Sequence, residues 1–202
     1  MPLQNRVTPF GEIVADPARG SLMGNRGRLH DGQKRLGRAR WRGRAWISCL
    51  LDFKGRHRPE MMMPRSYTEL FFSDEWVALA AGHRPCAECR RAAYLEFREA
   101  LARACPTLGP APRAAEMDRL LHEARTGPDA RWQAKRAELP DGTFVLGEDA
   151  VALLLWRDKM WRWTSQGYEP AASVTGALTV LTPRPITGAL AAGYAPLGHP
   201  FM

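Results

Sequence analysis

Lysine is nearly missing from this 202-residue chain, with four residues against 25 arginines. Basic charge is therefore carried by planar guanidinium groups, which suit bidentate contact with phosphate and stacking on rings, although arginine-rich codon usage alone produces the same ratio. No wholly apolar run approaches the ~20 residues of a membrane-spanning helix. Residues 151–156 are among the longest, so no membrane span is expected. The chain opens without a charged stretch leading into an apolar one; a secretory leader is not expected, and the protein is placed in the cytoplasm. Cysteine is sparse too. Cys49, Cys86, Cys89 and Cys105 are few for a disulfide framework and, in such a compartment, read as thiols or metal ligands.

What is present is a core-forming composition, 45% hydrophobic, with a net charge of +8. Disorder is excluded as the default. The charge is uneven: residues 1–65 carry 14 basic and 5 acidic side chains, and the remainder is close to neutral. Residues 1–45 are rich in glycine and arginine with weak apolar periodicity, which predicts loops and short strands. Residues 45–53 alternate β-forming side chains and predict a strand.

Ser73-Asp74-Glu75 offers a helix start, closed at Gly82. Tyr94, Phe97 and Leu101 share one face of a helix over residues 90–104. Further helices are predicted over residues 113–126 and, from a first-turn proline, over 128–139. Beyond them, turn signals and β-formers predict strands at 143–146 and 178–181, a hairpin from 151–156 and 160–164, and a short helix at 186–192. The expected fold is α+β. A basic, cysteine-bearing half with short strands and helices spans residues 1–106, and helices followed by a small antiparallel sheet span 107–202, with one shared core as the alternative.

Cys86-Ala87-Glu88-Cys89 is a pair of thiols two residues apart, between two predicted helices, with Pro85 restricting the turn. Zinc favours this arrangement, because tetrahedral coordination accepts thiolates and imidazoles, and neighbouring cations with a following helix N-terminus favour deprotonation. A redox dithiol expects a preceding strand, where a helix ending at Gly82 is predicted. Cys49 is the candidate third ligand and His30 the fourth, with Asp31 available to orient its ring; His57 and His83 compete. Cys105 reads as a free thiol.

The string from Ala78 to Arg90, with its Gly82-His83-Arg84-Pro85-Cys86-Ala87-Glu88-Cys89 core preceded by Phe71-Phe72, resembles part of the zinc-binding domain of the adaptive-response DNA repair protein Ada. The resemblance covers about residues 70–91. It implies that Cys86 and Cys89 bind zinc and that the domain contacts DNA. In that family an upstream Cys-x-x-x-Cys pair supplies the other ligands and the methyl acceptor. Here Cys49 is followed four residues later by Phe53, so the resemblance gives little support for methyl transfer.

Three functions follow. The first is a zinc-binding protein that contacts nucleic acid, DNA foremost, through a surface of Arg35, Arg38, Arg40, Arg42, Arg44, Arg56, Arg58 and Arg84. Trp41 and Trp46 lie among these arginines and could stack on unpaired bases. The second is a metal-dependent enzyme acting on nucleic acid: a nuclease, a glycosylase-like hydrolase or a methyl acceptor, with Glu88, His57 or Glu60 as base. No recognised catalytic motif accompanies them, since the His-x-Glu half of the zinc deaminase signature is missing. The third is a zinc-stabilised module presenting Trp156, Trp161, Trp163 and Tyr168 to a protein partner.

Overall fold

The computed structural model describes residues 1–56, 60–174 and 176–198. Among the described residues, four helices and two six-stranded sheets make it an α+β protein. The glycine- and arginine-rich opening enters the first sheet as β1 (Gln4–Val7), β2 (Ile13–Ala15) and β3 (Leu22–Asn25), joined by β4 (Ile47–Leu50), β5 (Leu70–Phe72) and β6 (Arg84–Pro85). Their order is β2-β1-β5-β3-β4-β6, parallel at β1/β5 and β4/β6 and antiparallel elsewhere. Gly24 lies inside β3 because the strands crowd it: a Cβ there would sit 2.2 Å from the Ile47 carbonyl oxygen and 2.8 Å from the Phe72 ring.

Between β5 and β6 the chain forms α1 (Glu75–Ala80), all six of whose residues are buried. Asp74 caps it, its Oδ1 accepting from the Val77 N–H at 2.8 Å, and Gly82 ends it with φ of 82°. The helix α2 (Arg91–Ala104) buries Tyr94, Phe97 and Leu101, the face their spacing predicts. The next helix, α3 (Ala114–Thr126), buries Met117 and Leu121.

No helix spans 128–139. Instead Pro128–Ala130 make one 3₁₀ turn and Arg136–Glu138 another, on either side of β7 (Trp132–Lys135). Proline does start a turn there, but pairing with a distant strand outweighs helix propensity in the residues that follow.

That strand is β12 (Ala177–Val180), which pairs antiparallel with β7 from Ala177 opposite Lys135 to Val180 opposite Trp132. With β8 (Phe144–Leu146), β9 (Ala152–Trp156), β10 (Lys159–Thr164) and β11 (Gly167–Ala171) they form an all-antiparallel sheet, ordered β11-β10-β9-β8-β12-β7. The edge strand β11 carries Pro170, which a central strand would not tolerate. The chain then forms α4 (Arg184–Ala191), with Ile186, Ala189 and Leu190 buried.

The main buried cluster draws on the first sheet through Val7, Leu22, Leu70 and Phe72, on α1 to α4, and on the second sheet through Phe144 and Leu154. Successive strand residues point to opposite faces, so Leu153 and Leu155 join a smaller cluster with Val145, Met160 and Val180. Trp161 and Trp163 do share a face, and it is turned inward. Both pack against the main cluster with Trp156 and Tyr168; Trp163 Nε1 donates to Ser73 Oγ at 3.2 Å and the Tyr168 hydroxyl to Asp74 Oδ2 at 2.8 Å. These rings bind the second sheet to the start of α1.

Candidate metal centre

Parallel pairing of β4 with β6 places Ile47 opposite Arg84 and Ser48 opposite Pro85. One residue further along the chain stand Cys49, within β4, and Cys86, just past the end of β6. The Cys86 N–H donates to the Ser48 carbonyl at 2.9 Å, and the turn after it closes with the Arg90 N–H on the Cys86 carbonyl at 3.2 Å, bringing Cys89 round before α2 begins. The sulfurs of Cys49, Cys86 and Cys89 lie within 4.8 Å of one another. Three thiolates at tetrahedral Zn–S distances of about 2.3 Å stand about 3.8 Å apart, so the cluster fits one ion of that size.

The three sulfurs are not equivalent. Cys86 is pushed down to about 5, first by the hydrogen bond from the Cys49 thiol, against the opposing effect of burial, and with help from the backbone N–H groups of Cys89 and Glu88. The Glu88 N–H lies 3.4 Å from Cys86 Sγ. Cys49 is pushed up by the same hydrogen bond to Cys86 and by burial, and Cys89 is pushed up chiefly by burial. Cys86 is thus the thiol of the three that gives up its proton most readily, and binding a cation would require the other two to lose theirs.

The sulfurs open onto a cleft of about 540 Å³ with an apolar wall that includes Met23, Leu50, Phe53, Met61, Tyr67 and Phe71. At its rim Arg56 grips Glu88 with both amino groups, at 3.2 and 2.5 Å. That pair holds the Glu88 carboxylate below its usual range and commits Arg56 to it.

His30 is not brought to the cysteines. The Thr68 hydroxyl accepts the Leu29 N–H at 2.8 Å and meets His30 Nδ1 at 2.7 Å, while His30 Nε2 meets the Met63 carbonyl at 3.1 Å. A carbonyl only accepts, so Nε2 donates to it, and Nδ1 is taken by Thr68; neither nitrogen is free for an ion. His83 is buried between the Trp46 and Phe72 rings, with Nε2 accepting from Arg26 Nε at 3.3 Å. Among the described residues no fourth His, Cys, Asp or Glu joins the cluster. His57 and Arg58 lie outside the described residues. Cys105 stands apart as a free thiol.

Arg35, Arg38, Arg40, Arg42 and Arg44 are all exposed, Arg35 paired with Asp31 at 3.4 Å. A basic cleft of about 780 Å³ takes Arg35 and Arg42 together with Arg28 and Arg65, which no local pattern distinguishes from the other arginines. Arg84 does not belong to this surface. It is buried, and its guanidinium holds Asp118 through Nε at 2.8 Å and Nη2 at 2.9 Å. Exposing it to a phosphate would leave a carboxylate buried and unpaired. Trp41 is 43% exposed, whereas Trp46 is buried and stacked on guanidinium groups. Sequence reasoning overlooked Arg26, whose side chain is among the largest fully buried ones.

No helix among the described residues is long and apolar enough to cross a membrane. Comparison with protein-family models, curated proteins and solved structures finds no match to this chain.

Proposed function

We propose that this chain is a zinc protein, with Cys49, Cys86 and Cys89 as ligands, that contacts nucleic acid, DNA foremost, through the exposed arginines of residues 35–44. The observation that carries the metal is the closure of Cys49 onto the Cys86–Cys89 pair across the β4–β6 pairing, made by residues 37 positions apart. A soft three-thiolate set selects zinc over harder cations. The resemblance of residues 70–91 to the Ada zinc-binding domain supports the same ion and the same class of partner. Five exposed guanidinium groups in ten residues, beside a basic cleft, support phosphate contact.

A second function is favoured by one feature. Three cysteines that also line a cleft would hold an ion with a fourth position left for water or substrate, which is the pattern of catalytic rather than structural zinc. An enzyme acting on nucleic acid would use that position.

Purified protein is expected to contain one zinc per chain, lost on Cys49→Ser, Cys86→Ser or Cys89→Ser and retained on His30→Ala. A preparation made without chelator and still free of zinc would sink the metal. Binding to duplex DNA is expected to weaken with salt at a log–log slope of about −0.9 per phosphate neutralised, and Arg→Ala at 38, 40, 42 or 44 to reduce that slope by about one each. Salt-insensitive or absent binding would sink the nucleic-acid contact and leave the metal standing. In the cobalt-substituted protein, a visible spectrum that shifts with an added small thiol favours the open position; a spectrum unmoved by thiol but altered by His57→Ala favours a closed site.

A further inference from the structure

Buried cations need partners, and Arg26 lacks an anionic one. It is 2% exposed, it makes no ion pair among the described residues, and the charge that acts on it most is another cation, Arg125. Its Nε donates to His83 Nε2 at 3.3 Å and its Nη1 to the Gly11 carbonyl at 2.8 Å. Its Nη2 has no hydrogen-bond partner among the described residues. Its guanidinium carbon and that of Arg125 each lie 4.0 Å from the Trp46 ring. Burial pushes both guanidinium groups down to about 9.

These two side chains, with Arg40 and Arg131, line a cavity of about 300 Å³ whose wall, among the described residues, contains four arginines and no carboxylate. Arg125 Nη1 donates to the Gly82 carbonyl at 2.7 Å and its Nη2 to that of Arg44; Arg131 donates to the carbonyls of Leu181 at 3.1 Å and Phe10 at 3.0 Å. Neutral carbonyls orient these groups without cancelling their charge. The acids that act on these arginines do not supply the missing anion: Asp118 acts on Arg125 but is held by Arg84 through both oxygens, and Glu12 acts on Arg131 from outside the wall. Trp41, half exposed and edge-on to His122 at 4.5 Å, also lines this cavity.

We infer that this cavity is a binding site for a phosphomonoester dianion, with Arg26, Arg40, Arg125 and Arg131 as its cationic wall and Trp41 placed to stack on a flat ring attached to the phosphate. Tetrahedral oxyanions accept hydrogen bonds from several guanidinium groups at once, and a double negative charge answers a wall with several positive ones. The volume leaves room for more than the phosphate itself. The site lies away from the cysteine cleft, with which it shares no lining residue. It depends on the nucleic-acid reading only for what carries the phosphate, so inorganic phosphate tests the pocket by itself.

Tryptophan fluorescence and melting temperature are measured on the full chain during titration with inorganic phosphate, against sodium chloride at matched ionic strength. A saturable change with phosphate and none with chloride is expected, with affinity at least tenfold weaker in Arg40→Ala and in Arg131→Ala. Both residues reach the surface, so these variants remain informative where Arg26→Met does not fold. A phosphate response equal to that of chloride, or unaltered in both variants, overturns the site. The source of the phosphate is separated by competition: a 5′-phosphorylated oligonucleotide at least tenfold tighter than its 5′-hydroxyl form and than a 5′-mononucleotide assigns the pocket to a nucleic-acid end. A mononucleotide binding as tightly as the phosphorylated oligonucleotide assigns it to free nucleotides. Failure of all three to compete with phosphate overturns the phosphomonoester.

Discussion

His83 stands next to the Cys86–Cys89 turn in sequence, yet its ring is sealed between Trp46 and Phe72. Burial, reinforced by the positive charges of Arg26 and Arg125, drives its pKa well below 6.5. The unfolded chain takes up a proton on this ring as the pH falls through about 6.5, and the folded chain does not. Stability conferred by the neutral ring is therefore present above that pH and lost below it, with a slope approaching about 1.4 kcal/mol per pH unit. Urea midpoints measured from pH 7.5 to 5 should fall more steeply for the wild type than for His83→Asn. Parallel curves would mean that the folded protein protonates His83. Neighbouring positions were legible to different depths. Cys86 and Cys89 could be read as a ligand pair because their spacing is local. Arg84, two residues from Cys86, could not be placed, since Asp118 lies 34 positions away and decides whether the guanidinium faces solvent or the interior. His30 failed in the same way, its ring being taken by Thr68 and Met63 across more than thirty residues.

Among the elements, β3 shows how a strand with little sequence signal can position the site. It lies between β5 and β4, and Met23 stands opposite both Phe71 and Cys49. Gly24 permits this close approach. In Gly24→Ala the new methyl would meet the Ile47 carbonyl and the Phe72 ring, forcing β3 and β4 apart and disturbing Cys49 two residues beyond Ile47. Overpacking of this kind costs about 2 kcal/mol, and the variant should also hold less zinc than the wild type after dialysis. An unchanged urea midpoint with full zinc content would show that the sheet absorbs the methyl freely. Elements with a strong local period were readable, as with α2, whose buried face follows Tyr94, Phe97 and Leu101. The segment 128–139 was not. Its proline and mixed polar pattern suit a helix start, and only the ladder to β12, reinforced by the Trp132 indole donating to the Thr182 carbonyl at 3.0 Å, makes it a strand.

At the scale of the whole molecule, the buried cluster that contains Val7 and Leu22 also contains Leu154, Leu181 and Tyr194. Long-range polar contacts follow the same route: the Tyr194 hydroxyl and the Leu197 N–H both donate to Glu75, which also pairs with buried Arg90. Loss of either sheet would strip apolar surface from the other, so unfolding followed by far-ultraviolet circular dichroism and by tryptophan fluorescence should give one coincident transition. Two separated midpoints would divide the chain into independently stable parts. The amino-acid sequence by itself determined the concentration of positive charge before residue 65, the paired thiols of Cys86 and Cys89, and the helices and hairpin whose signals lie within a few residues. Those properties are local or additive, so they need no fold to be read. Tertiary structure alone decided which arginines face water and which are buried, that Cys49 and not His30 meets the thiol pair, and that Arg26 and Arg125 share one aromatic ring beside a cavity with no carboxylate among its described lining residues. Each of these rests on packing between residues distant in the chain, where burial makes an unpaired charge costly and the partner that relieves it is chosen by the fold.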